Sequence, residues 1–159
     1  MRRLLILFFA LLPTACGPEL YTVDVTGDRR IDAGYRPGET WRTKFDGVLI
    51  QDKPDSRWEL WTEADLAGQQ PARRENVPAG STLRFVRLSY LFNSEHPPVE
   101  GGTPEMIDAL AELTYPDGRR RDGEVVVLPR RENARRIIGT SLLIYPPNET
   151  FLERVEAGK

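Results

Sequence analysis

Apolar and polar residues alternate most cleanly over residues 41–49, where Trp41, Thr43, Phe45, Gly47 and Leu49 interleave with Arg42, Lys44 and Asp46. A side-chain period of two puts the first set on one face of a strand and the charged set on the other. Pro37-Gly38 marks a turn before this strand and Pro54-Asp55 one after it, so residues 57–62 read as a partner strand with Trp58, Leu60 and Thr62 on one face. Further strands are expected at 21–25, 81–92, 124–128 and 137–145, while 106–113 fits helix or strand, with the hairpin signal after it favouring a strand over 109–115. Within 81–92 the alternation slips, with Leu83 and Phe85 on one parity and Val86, Leu88, Tyr90 and Phe92 on the other. One extra residue, a β-bulge, produces that change of phase. Val125, Val126 and Val127 are too continuously apolar for a strand wet on one side. Pro116-Asp117-Gly118 is a hairpin signal between two of these strands.

Residues 26–36, 64–80 and 93–104 read as loops, with a helical turn expected at Thr103-Pro104-Glu105 and a polar tail from Asn148. The pattern predicts an all-β fold, a small barrel or sandwich of about seven strands. Trp41, Phe45, Leu83, Val86, Leu88, Leu113, Val126 and Leu143 are its expected core. The segment Val77-Pro78-Ala79-Gly80-Ser81-Thr82-Leu83 resembles the turn that opens a core strand in bacterial SH3-like barrels, and that resemblance favours such a barrel. An immunoglobulin-like sandwich is the alternative, without the cysteine pair that usually brackets its core tryptophan.

The first twenty residues have a different character. Arg2 and Arg3 precede an uncharged apolar run over 4–12. As a helix that run rises only about 14 Å, against roughly 30 Å of bilayer hydrocarbon. A charged start, a short apolar stretch and small residues fit a cleavable secretory signal. Thr14, Ala15 and Cys16 then match the end of a lipobox, and the segment resembles a bacterial lipoprotein signal peptide, with Pro13 where leucine is usual. The resemblance implies cleavage before Cys16 and palmitate-type acylation there. Gly17, rather than aspartate, implies delivery to the outer membrane, facing the periplasm. The expected organisation is a signal peptide at 1–15, a lipidated tether at 16–20 and one β domain at 21–159.

Cys16 is the only cysteine, so no disulfide can form within the chain. Without residues 1–15, twenty basic side chains face twenty-four acidic ones, a net charge of −4. That balance argues against nucleic acid as a partner.

The candidate chemistry is sparse. His96 is the only histidine and lies in a loop, so neither a catalytic triad nor a zinc site is expected, and no cofactor is implied. Asp46, Asp52, Asp55 and Glu59, like Asp24, Asp28 and Asp32, are interleaved with cations and read as solvated ion pairs. Seven arginines at 119, 120, 121, 130, 131, 135 and 136 include Arg119, Arg120, Arg121, Arg130 and Arg131, the candidate contacts for phosphate or carboxylate groups. The alternative is a solvated face that discourages edge-to-edge association. Trp61 has opposite parity to Trp58 and is the candidate outward-facing binding anchor.

These residues point to a non-enzymatic binding or scaffolding module held at the membrane by lipid, with an envelope protein, peptidoglycan or anionic lipid as partner. An inhibitor or accessory subunit of an envelope enzyme is the second reading. A glycosidase working with two carboxylates is the third.

Overall fold

The computed structural model describes residues 20–31, 34–54, 56–68, 70–102, 105–127 and 134–156. Cys16, Arg130 and Arg131 lie outside them. The strands are β1 (Leu20–Asp24), β2 (Thr40–Thr43), β3 (Gly47–Gln51), β4 (Trp58–Trp61), β5 (Arg73–Val77), β6 (Thr82–Asn93), β7 (Glu105–Met106), β8 (Asp108–Thr114), β9 (Arg120–Val127), β10 (Arg135–Arg136), β11 (Leu142–Ile144) and β12 (Leu152–Val155). The described residues contain no helix. The all-β class is as expected, and short additional strands raise the count.

Nine strands form one mixed sheet in the order β12-β2-β6-β8-β9-β4-β3-β5, with β1 also on β6. A smaller sheet runs β10-β11-β7. Strand β6 organises the large sheet. Its first residues pair with β2, its last with β1, and its other edge with β8. The register shifts between Phe85 and Arg87, so Val86 is the extra residue of the bulge that the slipped alternation predicts. Before it Leu83 and Phe85 join the main core, and after it Leu88 and Tyr90 do.

The strand expected over 41–49 is broken. β2 stops at Thr43, whose amide donates to the Ser81 carbonyl at 2.9 Å, while the Gly80 amide donates to the Thr43 carbonyl at 2.8 Å. The Ala79 amide donates to Asp46 Oδ1 at 2.8 Å. These bonds lock a corner at which β2 turns into β3 and β5 into β6. The two strand pairs β2/β6 and β3/β5 thereby continue one another around the bend. Phe45 sits on the outside of that corner and is 43% exposed, contrary to the expectation that it is core. Its ring leans on Phe151, with centroids 5.1 Å apart.

All five residues of β3 are buried, because β4 and β5 flank it and both its faces are covered. Leu49 faces the main core, whereas Val48 and Ile50 pack with Leu66 and Trp61 in a satellite cluster. Trp61 therefore points away from the main core, as its parity suggests, but it covers that cluster instead of standing free. Its Nε1 donates to Glu59 at 3.0 Å.

Other expectations are corrected. Val86 is half-buried because it is the bulge residue, and Leu143 is half-buried because Leu142 and Ile144 take the inward positions of β11. The strand expected over 137–145 is a hairpin: β10 and β11 are joined through a turn that leaves Ile138 94% exposed. Residues 64–80 contain β5, and the polar tail contains β12. Both escape the alternation rule because they present charged faces to water and only a few apolar anchors inward, Val77 in β5 and Leu152 in β12. Glu105 begins β7 where a helical turn is expected. The 116–118 hairpin is present, with the Tyr115 amide donating to the Arg119 carbonyl at 2.9 Å.

Candidate functional site

The three arginines of the 116–118 hairpin do not act together. Arg119 lies over the Tyr115 ring, 4.4 Å from its centroid. Arg121 lies over the Trp58 ring at the same distance, with only 13% of its side chain exposed, and its Nε is 3.5 Å from Glu75. Glu75 in turn accepts the Tyr115 hydroxyl. Burial and that hydrogen bond push the Tyr115 phenol up to about 12. Trp58 and Tyr115 both pack on the main core, so these side chains rim one mouth of it, at a cleft lined by Trp58, Glu75 and Arg121 among others. Arg120 points the other way and pairs with Glu112 at 2.8 Å.

That outward face of β6, β8 and β9 carries a lattice of ion pairs. Arg84 and Arg120 share Glu112, and Arg87 pairs with Glu124 at 2.7 Å. Leu110 and Val126 lie beneath it with 1% and 3% exposure. Arginine stems can cover apolar surface while their heads stay wet. The lattice thus acts as a lid for one face of the sheet. Pairing with Arg84 holds the Glu112 carboxyl below its ordinary range.

Asp108 continues this face toward β1. Arg57 bonds it at 3.1 Å and also reaches Ser89 and Thr22. Burial pushes the Asp108 carboxyl up to about 6, opposed by Arg57 and reinforced by Glu59. A raised carboxylic acid beside a second carboxylate is what a glycosidase requires, but the pair must also face a sugar-sized cleft. Neither Asp108 nor Glu59 lines any of the clefts described below. Ser89 receives a guanidinium hydrogen bond, which does not activate a hydroxyl for attack. The signal for this cluster was a carboxylate inserted between apolar Ile107 and Ala109.

Among the described residues no three His, Cys, Asp or Glu side chains gather as a metal site. Asp24 accepts from Thr26, Asp28 from Arg30, and Asp46 from the corner at Ala79. Asp32 and Asp55 lie outside the described residues.

One cleft lies elsewhere. It has a volume of about 560 Å³ and runs between β12 and the β10/β11 hairpin, lined by Trp41, Lys44, Arg135, Ile144, Pro146, Pro147, Glu149 and Arg154 among others. A second cleft of about 540 Å³ continues it past Arg135, Pro146 and Pro147 to Asn148 and Thr150. Two further clefts lie at the Arg121 mouth and beside the 36–40 loop. Trp41 is 95% buried, edge-on to Phe85. Its Nε1 has no hydrogen-bond partner among the described residues, and neither has the hydroxyl of neighbouring Tyr35. A buried unsatisfied donor costs about 1–3 kcal/mol unless a ligand or water meets it. Burial pushes the Tyr35 phenol far up, so it stays a neutral donor. Lys44 donates to the Glu149 carbonyl at 2.5 Å, and Arg154 pairs with Glu39. Arg135 is exposed and lines both clefts.

Of the predicted contacts, then, Arg121 packs on Trp58, Arg119 and Arg120 stay exposed while lying over Tyr115 and pairing with Glu112, and Trp61 covers the satellite cluster. Among the described residues, Arg135 is the one arginine of the 119–136 group that lines the cleft between β12 and the β10/β11 hairpin. The sequence marked Pro146-Pro147 only as a strand end, although rigid prolines also build cleft walls. Comparison with family models, with curated proteins and with solved structures finds no match to this chain.

Proposed function

We propose that this chain is an envelope lipoprotein, anchored by lipid on Cys16 at the periplasmic face of the outer membrane, whose β domain binds a partner non-enzymatically. The observation that carries the binding role is the cleft between β12 and the β10/β11 hairpin. It is open, walled by prolines, and combines an exposed Arg135 with the buried, unsatisfied Trp41 Nε1. An apolar wall beside an exposed cationic side chain is typical of a recognition site, and Trp41 adds its apolar ring to that wall while its Nε1 stays buried. An extended segment of an envelope protein, bearing a carbonyl or carboxylate, suits it: the group would accept from Arg135.

The anchor and the cleft are tested together in the acylated protein. A photo-crosslinking residue replaces Glu149, an exposed residue that lines both clefts, in one variant and Arg73, on the exposed face of β5, in another. Capture of one envelope protein from position 149 and not from 73, lost when Arg135→Ala is added, supports the reading. Equal capture at both, or none at 149 from intact cells, overturns it. Should the captured protein be an enzyme whose activity falls on binding, the inhibitor reading replaces simple scaffolding.

A further inference from the structure

We infer that the free end of the β1/β6 pair docks onto the lipid bilayer, so that the domain is held in a fixed orientation and does not swing from its tether. This rests on the lipid anchor proposed above and adds a second contact to it. Leu20, Tyr21 and Leu91 are 57%, 50% and 58% exposed, the largest group of exposed apolar side chains on paired strands among the described residues. Thr22 lies opposite Leu91, so Leu20 and Leu91 are diagonal neighbours on one face, while Tyr21, opposite Phe92, stands on the other face of the same strand end. Tyr21 stacks on Phe92 with centroids 4.8 Å apart, which fixes its ring at the strand end.

The occupant follows from chain length. Leu20 is four residues after Cys16, a reach of at most about 14 Å even fully extended. The headgroup layer on each side of a bilayer is about 5–8 Å deep. A lipidated Cys16 therefore holds the start of β1 within or just above that layer. Two leucines and a half-exposed tyrosine at that place match the side chains that settle at a membrane interface, apolar bodies with one polar tip. The 116–118 hairpin lies at the other end of β6, since Thr82 pairs with Thr114 while Asn93 pairs with Leu20. It should stand well clear of the lipid.

Single nitroxide labels test this. Leu91→Cys and Asp117→Cys are made separately in the acylated protein, where Cys16 is blocked by its lipid, and each is reconstituted into phosphatidylethanolamine vesicles with a minority of phosphatidylglycerol. Intact mass first reports acylation. The expected result is that the label at 91 is relaxed more by oxygen than by an aqueous nickel complex, and the label at 117 the reverse. Adding Leu20→Glu should move the label at 91 into water, at a first strand residue whose exposure lets the fold tolerate the charge. Equal access of both labels to the nickel complex, in protein shown to be acylated, overturns docking and leaves the anchor standing. Spin–spin broadening at 91 would mean that a second copy covers this edge, and overturns it too. Absence of acyl mass removes the anchor and the docking with it.

Discussion

The Arg121 guanidinium lies over the Trp58 indole, 4.4 Å from the ring centroid, and turns a residue type usually counted as surface charge into part of the interior. Its Nη1 donates to the Asp122 carbonyl at 3.0 Å, while Glu75 stands 3.5 Å from its Nε. Arg121→Ala removes the stack, the charge partner of Glu75 and the side-chain stem that rims the mouth of the core. A loss of about 2 kcal/mol in unfolding free energy is expected from the cation–π and charge-assisted contacts together. Arg120→Ala, with an exposed side chain on the other face, should cost under about 1 kcal/mol. Urea unfolding of the two variants reads the difference. Equal losses would mean that Arg121 is as solvated as its neighbours.

Asp108 gives the fold a measurable pH dependence. Its folded pKa, about 6, lies above the ordinary value of 3.8 because burial penalises the carboxylate. Between those values the folded chain holds a proton that the unfolded chain has released. Its contribution to stability is therefore full below about pH 4 and is lost as pH rises through about 6. In Asp108→Asn that contribution is independent of pH. The unfolding free energy of the parent, measured relative to Asp108→Asn, should fall between about pH 4 and pH 7. A difference that rises over this window would show that Arg57, not burial, dominates the site.

The residues also show what sequence pattern can and cannot carry. Alternation showed that the 81–92 strand carries a bulge, because a phase slip in the apolar positions is a property of one strand alone, but it counted Val86, the bulge residue itself, as core. It ran β2 and β3 together, because parity is preserved across the corner: Trp41 and Thr43 before it and Leu49 after it are all buried. Only the hydrogen bonds from Ser81, Gly80 and Ala79, contributed by a distant segment, reveal the bend. The three arginines of the 116–118 hairpin are separated for a related reason. Arg119, Arg120 and Arg121 are adjacent in sequence, but a strand sends neighbours to opposite faces. Their roles were then set by partners that no local window contains, Tyr115, Glu112 and Trp58. The cleft at Arg135 joins β2, β10, β11 and β12, and a juxtaposition of that kind is not written in any one segment.

The corner also changes what Phe45 is worth. Phe85 is 2% exposed, packed 4.3 Å from Tyr35 by ring centroid, and its replacement by alanine should leave a cavity costing about 3–5 kcal/mol. Phe45→Ala loses a ring that is already 43% exposed and should cost less than half as much. Thermal or urea unfolding of both variants orders them. If Phe45→Ala is the more damaging, the corner depends on the Phe45–Phe151 contact more than on its backbone hydrogen bonds.

Gly47 is the point at which the bend leaves no room for a side chain. A Cβ there would stand 2.7 Å from Phe151 Cζ, 3.1 Å from the Trp61 carbonyl oxygen and 3.3 Å from Leu60 Cδ1. The first of these is the far end of a ring that can shift, but the carbonyl belongs to β4, which is hydrogen-bonded in the sheet beside β3. Gly47→Ala should therefore destabilise by about 1–3 kcal/mol through overpacking. Gly27 supplies the control, since a Cβ there meets nothing within 4 Å, and Gly27→Ala should be close to neutral. Phe151→Leu shortens the nearest neighbour and should restore part of the loss when combined with Gly47→Ala. A double-mutant cycle by urea unfolding measures that coupling. Full additivity of the two substitutions would place the obstruction at β4, at the Trp61 carbonyl and the Leu60 side chain. A neutral Gly47→Ala would show that β3 can move away from the corner, and that the close approach of Phe151 to Gly47 is not what fixes the bend.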